Sequence, residues 1–424
     1  MDTTMSMADI FQLIALNPEG VRIEVYDGSV SGPADAPATV RVKDESAVSH
    51  LVRAPGDLGL ARAYVSGSLD VDGDLHHALV AMVMRRVGGI PWGDLKPLLP
   101  VTKELLPYLR HQPPIPAAEA PSRWRRGVLR HSKGRDAEAI HHHYDVSNTF
   151  YEYVLGPSMT YTCAVYPNAG ASLEEAQAAK YDLVCRKLDL QPGMRLLDVG
   201  CGWGGMVMHA VEHYGVSALG VTLSRQQAEW AGKAIAERGL SDRAEVRHLD
   251  YREVPDGSYD AISSIGLTEH IGKKNVPGYF RNLYGKLRPQ GRLLNHCITR
   301  PRPGMRATAG GFIDRYVFPD GELESPGYLV EEMNRAGFEV RHEENIREHY
   351  AMTLRDWGDN LERRWDDAVA EVGLQKARVW RLYMAASRAG FDCDMIELHQ
   401  VLGVKTQATP GGVVAGMPLR PSFT

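Results

Sequence analysis

The 424-residue sequence predicts an α/β fold on a mainly parallel sheet, preceded by a smaller α+β domain. Three observations carry this. From Arg195 to Ile298, apolar runs of strand length alternate with helical stretches, the pattern of parallel strands joined by crossover helices. The first run, Arg195-Leu-Leu-Asp-Val199, passes straight into Gly200-Cys-Gly-Trp-Gly-Gly205 and a helical stretch closed by Gly215. Glycines at such a turn let backbone approach a ligand closely, and the helix N-terminus offers unpaired N–H groups. Ahead of this, residues 1 to about 95 read as short strands, turns and helical pieces, and a proline-rich run follows at 91–121. The expected division is therefore 1–121, a small α+β domain with a linker at its end, and 122–424, the ligand-binding domain.

Bulk properties narrow the function. The chain is 44% hydrophobic and 24% charged, an ordinary globular composition. A net charge of -5 argues against nucleic-acid binding, so any basic surface is local. Cys163, Cys185, Cys201, Cys297 and Cys393 form no C-x-x-C pair. This is neither a disulfide framework nor a zinc site, and it fits a reducing cytosol. The first residues lack the basic start and apolar core of a signal peptide. No apolar run approaches the ~20 residues that span a bilayer. Any membrane contact is expected to be peripheral.

Taken in order, Val21–Tyr26 and Ala38–Lys43 alternate as strands, and Leu58–Leu75 follows. Asp70, Asp72 and Asp74 look loosely like a calcium loop but lack the terminal glutamate, so a solvated turn is expected. Arg123–Arg135 holds six Lys/Arg around Trp124. It reads either as a solvated helix face or as a site of attraction to anionic phospholipid, at about 1 kcal/mol per basic side chain. His141, His142 and His143 suggest metal, but consecutive helical residues point different ways and cannot chelate one ion together. Ser172 and Glu175 form a capping-box pattern before a helix to about Leu188.

After the glycine turn, the strand Ala218–Leu223 ends in Thr222-Leu-Ser-Arg-Gln-Gln227. A dinucleotide site would carry an acid for the ribose there. Asp198, two residues before Gly200, would repel a pyrophosphate but suits the ammonium of S-adenosylmethionine. A third strand from Ala244 ends at Asp250 and Tyr251, placed for the adenine amino group and for stacking. The fourth, Tyr259–Ile265, leads to Gly266-Leu-Thr-Glu-His-Ile-Gly272, and the fifth is Arg292–Ile298. Glu269, His270 and His296 follow strand ends, where chemistry is expected; buried structural pairing is the plainer account of them. Tyr350–Leu382 reads as helical, with Trp357, Trp365 and Trp380 as packing residues. The tail from about Lys405 reads as weakly ordered.

Several ordered motifs resemble the cyclopropane-fatty-acid synthases and their mycolic-acid and fatty-acid methyltransferase relatives. They are His142-His-Tyr-Asp-Val-Ser-Asn148, Met159-Thr-Tyr-Thr-Cys-Ala164, Leu197-Asp-Val-Gly-Cys-Gly-Trp-Gly204, Gly220-Val-Thr-Leu-Ser224, Glu269-His-Ile-Gly272 and Phe312–Pro319. The match runs over about 139–403, and Leu58–Leu75 also looks like the N-terminal domain of the longer bacterial synthases. The resemblance implies a Rossmann-like class I S-adenosylmethionine methyltransferase domain with lipid-covering insertions, acting on the cis double bond of a phospholipid acyl chain. Carried over, Gly200 and Gly202 line the methionine moiety, Tyr161 and Thr162 reach the cofactor, and Thr222, Leu223 and Gln227 meet the ribose. Asp250 and Tyr251 meet the adenine, and Ile265 completes the cofactor set with Asp198. The family holds bicarbonate as base; its ligands here would be Cys163, Glu269, His296, Ile298 and Tyr350. Of these, Cys163, Glu269, His296 and Tyr350 form the catalytic set, and metal is not needed.

The chain departs from the pattern at one point. The family usually carries an aromatic just before the Glu-His pair, whereas this chain has Leu267-Thr268. An aromatic face stabilises a nearby cation by ~0.5–2 kcal/mol. Without it, a hydride shift before proton loss leaves an exocyclic methylene rather than a ring. The reading leans to this 10-methylene branch, which makes precursors of tuberculostearic acid, with cyclopropane formation as the alternative. Further alternatives are a nicotinamide-dependent oxidoreductase and a non-catalytic lipid-binding protein. Expected partners are the inner face of the membrane and an unsaturated phospholipid. A finishing reductase and a homodimer are left open.

Overall fold

The computed structural model describes residues 5–15, 18–84, 104–119, 146–256, 259–305, 310–319, 321–418 and 420–423. The basic run Arg123–Arg135 and His141–His143 lie outside the described residues. The chain divides into two compact units, one formed by 1–126, 310–319 and 361–393, the other by 127–309, 320–360 and 394–424.

The first unit carries a four-stranded sheet of β1 (Val21–Val25), β2 (Val30–Ser31), β3 (Ala38–Val42) and β4 (Leu69–Gly73), in the order β2-β1-β3-β4. β1 and β3 are parallel, and β3 pairs antiparallel with β4. The alternation read from the sequence is real: Val21, Ile23 and Val25 are buried and the residues between them less so. Asp70 and Asp72 belong to β4 rather than to a turn. Asp70 receives Lys43 Nζ at 2.7 Å from across the sheet, and Asp72 pairs with Arg41.

The expected boundary at residue 121 placed all later residues in one domain. Segments 310–319 and 361–393 instead pack into the first unit, and buried charges show why. Arg378, on the helix Leu374–Asp392, donates to Tyr64 O at 2.7 Å and Leu69 O at 3.0 Å, and reaches Asp70 at 3.2 Å. Buried Glu119 accepts from Arg62 Nε and Nη2 at 2.7 and 2.8 Å and from the Tyr316 hydroxyl at 3.1 Å. A buried charge is tolerated only when paired and hydrogen-bonded, so these residues hold segments distant in sequence together.

The second unit is built on a seven-stranded sheet. Its strands are β5 (Arg195–Val199), β6 (Ser217–Thr222), β7 (Ala244–His248), β8 (Tyr259–Ile265), β9 (Leu287–Thr299), β10 (Glu339–Asn345) and β11 (Glu397–Val404), in the order β10-β11-β9-β8-β5-β6-β7. β5 to β9 are mutually parallel, while β11 runs antiparallel to both β9 and β10. Helices cover both faces, so adjacent residues of one strand enter different cores. Leu196 packs with Val184, Val207 and Val211, whereas Leu197 packs with Ile262, Phe280 and Leu283. Burial on both faces is why β5 reads as a continuous apolar run. Each such leucine contributes about 1.5–3 kcal/mol by its removal from water.

The helix Leu173–Leu188 starts at the predicted capping box: Ser172 Oγ accepts from Glu175 N, and Glu175 Oε2 accepts from Ser172 N at 2.8 Å. The predicted helix over Tyr350–Leu382 is three helices, Arg347–Arg363, Trp365–Val372 and Leu374–Asp392. Gly373, at φ +81°, makes the second break. The tail, expected to be weakly ordered, forms a hairpin of β12 (Gln407–Thr409) and β13 (Gly412–Val414). It ends with the Phe423 ring 5.0 Å from that of His342 and Phe423 O accepting from Arg186. No helix among the described residues is long and apolar enough to cross a membrane.

Candidate active site

From β5 the chain winds outward through β6 and β7, then returns to place β8 on the opposite side of β5. The loops after β5 and β8 therefore diverge and leave a crevice at the strands' C-terminal ends. An open cavity of about 690 Å³ lies there, lined by Gly200, Gly202, Thr222, Leu223, Gln227, Leu249, Tyr251, Arg252, Gly266, Leu267 and His270 among others.

The glycine turn fits this position for local reasons. Gly200 N and Cys201 N both donate to Val221 O, at 2.9 and 3.0 Å, hooking the turn over β6. Gly200 has φ +75°, and a Cβ there would stand 3.1 Å from Leu267 Cβ. Where the sequence placed the ribose, Thr222 Oγ1 donates to buried Gln227 Oε1 at 2.8 Å, and Ser224 Oγ caps the helix Arg225–Glu237. Tyr251 lines the cavity and packs edge-on against Tyr279, centroids 5.2 Å apart. Asp250 is absent from the lining: its carboxylate accepts from Arg252 N at 2.9 Å and Arg252 Nε at 2.8 Å. Asp198 lies buried behind the turn, where Oδ1 accepts from Ser263 Oγ at 2.7 Å. Burial pushes its pKa up to about 6, against the Ser263 hydrogen bond and the Lys180 charge, both of which lower it.

Tyr161, Thr162 and Ile265 also stand outside the lining. Thr162 packs its methyl where a Cβ on Gly266 would lie, 3.0 Å away. The helix Leu173–Leu188 holds its loop: Gln177 Nε2 donates to Thr162 O and Lys180 Nζ to Thr162 Oγ1, each at 2.9 Å. Lys180 is fully buried, and desolvation brings its pKa down to about 7. Its charge acts on Cys163, Asp198 and His296 together.

The predicted anion ligands are not among the residues lining the cavity. Glu269, on the turn after β8, is buried; its Oε1 accepts from Ile298 N at 2.7 Å. Desolvation pushes its pKa up to about 7, although that hydrogen bond lowers it. His296 and Ile298 share one face of β9 two residues apart. Burial drives His296 well below the usual imidazole range, and the Lys180 and Lys187 charges add to the effect. Glu269 Oε2 and His296 Nε2 are buried without a hydrogen-bond partner among the described residues. The Cys163 thiol donates to Ala164 O at 3.1 Å, and burial raises its pKa. The Ala164 amide donates to Thr353 Oγ1 at 3.0 Å, tying this loop to the helix that carries Tyr350. Tyr350 meets Trp357 edge-on at 6.1 Å, and Trp357 meets Tyr161 at 5.3 Å. The fully buried Trp357, read from the sequence as packing, thus joins two predicted site residues.

Sequence reasoning missed Leu249, Arg252, Lys180 and Gln400. Arg252 follows the predicted Asp250-Tyr251 pair directly, which was the available signal. The others are ordinary in sequence and gain meaning only from the fold. No group of three or more metal-ligating side chains positioned to hold an ion occurs among the described residues.

The family model for mycolic acid cyclopropane synthetase matches residues 131–401. A probable fatty acid methyltransferase of Mycobacterium tuberculosis is 54% identical over 432 aligned positions, covering 98% of both chains. The tuberculostearic acid methyltransferase of the same organism is 30% identical, covering 90% of this chain and 86% of its own. The solved structure of the mycolic acid cyclopropane synthase CmaA1 complexed with SAH and CTAB superposes with a TM-score of 0.59 at 32% identity, covering 63% of this chain and 98% of that one. The cavity at the switch point, the glycine turn beneath it and these matches lead to one conclusion: this chain belongs to the mycolic acid cyclopropane synthetase family and is an S-adenosylmethionine-dependent methyltransferase.

Proposed function

We propose that the enzyme methylates the cis double bond of an unsaturated phospholipid acyl chain, such as oleoyl, and yields a 10-methylene chain. The fatty-acid substrate is supported by the names of the relatives. Bound S-adenosylmethionine supplies an electrophilic methyl group, and the alkene is a weak nucleophile that becomes a carbocation on accepting it. Gly200, Gly202, Thr222, Gln227 and Tyr251 hold the donor. The buried rings of Trp357 and Tyr350, with that of Tyr161 beside them, keep water from the cation.

Proton removal needs a base that the cation does not alkylate. Bicarbonate fits the side chains present, since Glu269 Oε2 and His296 Nε2 are both buried and unpartnered. With its pKa near 7, Glu269 is half protonated at neutral pH and can donate to an anion rather than repel it. Bicarbonate held by Glu269, His296, Tyr350 and the Cys163 loop would supply a proton acceptor beside the new methyl group. Ile298 N already donates to Glu269, so it acts through that carboxyl.

The observation that carries the methylene product is the Leu267-Thr268 pair ahead of Glu269: Leu267 lines the cofactor cavity beside Gly200, and buried Thr268 donates Oγ1 to Asn295 Oδ1 at 2.6 Å. With no aromatic ring at either position, the cation is left free to rearrange before proton loss. Cyclopropane formation is the second reading, supported by the family and by the same base. Proton NMR of oleoyl phospholipid treated with the enzyme separates the two. Vinylidene signals are expected, and upfield ring-methylene signals would overturn the methylene assignment. The enzyme is proposed to work peripherally on the cytoplasmic face of the membrane, with a reductase completing the methyl branch and a homodimer as a compatible assembly.

A further inference from the structure

His296 pairs directly with Gln400 across β9 and β11, and its Nδ1 lies 3.0 Å from Gln400 Nε2. An amide can offer a ring nitrogen either its oxygen or its NH2, with opposite results for the proton on the ring. The far end of Gln400 decides. Gln400 Oε1 lies 2.7 Å from Lys187 Nζ, and both side chains are buried. An ammonium has donors and no acceptor, so the amide oxygen must face Lys187 and the NH2 must face His296. An NH2 group only donates, so Nδ1 carries no proton. The neutral imidazole then holds its single proton on Nε2, the buried atom left without a protein partner.

Lys187 is itself fixed from a third strand, since Glu344 of β10 pairs with it. That pairing holds the Glu344 carboxyl below its usual range and supports the Lys187 charge against desolvation. Glu344, Lys187, Gln400 and His296 thus form one chain of donors and acceptors that runs from the sheet's edge strand to the site.

We infer that Lys187 and Gln400 are positioning residues that lock His296 as its Nε2–H tautomer, so that His296 meets the reacting centre as a hydrogen-bond donor and not as a base. This rests on the placement of His296 in the reacting site proposed above, but the tautomer is measurable without any turnover. With Nδ1 accepting from Gln400 and Nε2 already protonated, His296 has no lone pair to take the proton lost from the substrate. That proton goes elsewhere, and His296 orients and stabilises its acceptor.

The test is two-bond ¹H–¹⁵N correlation on the full-length protein labelled with ¹⁵N-histidine, over about pH 6 to 8. His296→Asn identifies the His296 signals by their loss, and through-space contacts to Gln400 identify them if that variant does not fold. The expected pattern is an unprotonated Nδ1 and a protonated Nε2. Lys187→Arg, which keeps a donor-only cation, retains it. Gln400→Glu places an acceptor beside Nδ1 and moves a proton there, and Lys187→Met frees the amide to turn and gives a mixture. In Gln400→Glu, kcat is expected to fall roughly tenfold or more with S-adenosylhomocysteine affinity unchanged. A protonated Nδ1 in the parent protein, or an identical His296 signature in Gln400→Glu, would overturn the inference. Absent methyl transfer with the expected tautomer would instead count against the proposed function.

Discussion

Replacing Glu269 with Gln isolates the cost of one buried carboxylate. Glutamine keeps an Oε1 to accept from Ile298 N, at 2.7 Å in the parent, and carries no charge. In the parent, burial raises the Glu269 pKa from 4.5 to about 7. The folded value lies above the unfolded one, so the folded state holds the proton more tightly. At pH below about 4.5 both states are protonated and the group costs nothing. As pH rises the unfolded chain ionises first, and the cost grows until the folded carboxyl also ionises near 7. The difference between 4.5 and about 7, at about 1.4 kcal/mol per pKa unit, is roughly 3 kcal/mol. The stability of Glu269→Gln relative to the parent should therefore improve by roughly 3 kcal/mol between about pH 4.5 and 8, with little change beyond about pH 8. Urea unfolding followed by tryptophan fluorescence at a series of pH values measures this. Parallel stability curves for the two proteins would show that Glu269 ionises normally and would refute its assignment as a carboxyl poised near neutrality.

Gly200→Ala should weaken S-adenosylhomocysteine binding by at least tenfold in calorimetry, about 1.4 kcal/mol, because φ is +75° and the new methyl meets Leu267. Thr222→Val strands the buried Gln227 Oε1 and should lower stability by about 1–3 kcal/mol in urea unfolding, with cofactor affinity falling alongside. Arg378→Met leaves Tyr64 O and Leu69 O without that donor, and Asp70 with Lys43 but without Arg378. It should cost roughly 2–4 kcal/mol in the first unit and expose 361–393 to limited proteolysis, while S-adenosylhomocysteine still binds.

The parts of the fold legible in the sequence were those whose pattern is local. β5 is buried on both faces and reads as an apolar run, the glycines after it need positive φ, and Ser172 with Glu175 writes a helix start. β11 went unread. It is buried along its length, yet its Gln400 and His399 look polar until the partners Lys187, His296 and Thr299 are known. Likewise, nothing local joins Arg378 to Tyr64 or Glu119 to Tyr316, so a domain assembled from three segments could not be read as one. The site follows the same rule. Gly200, Thr222, Gln227 and Tyr251 line the cavity because strand ends converge there, which the strand–helix alternation implies. Asp250 was placed by its position at a strand end and by the resemblance, and the neighbouring Arg252 donates to its carboxylate, a pairing that strand position does not reveal.

The most direct test of the account is incubation of the purified enzyme with oleoyl phospholipid vesicles and S-adenosylmethionine labelled in its methyl carbon, followed by analysis of the released acyl chains. The account predicts label in a carbon added at the former double bond, reduced by Gly200→Ala at limiting S-adenosylmethionine and strongly reduced by Glu269→Gln. Acyl chains without label, from protein that binds S-adenosylhomocysteine, would contradict it.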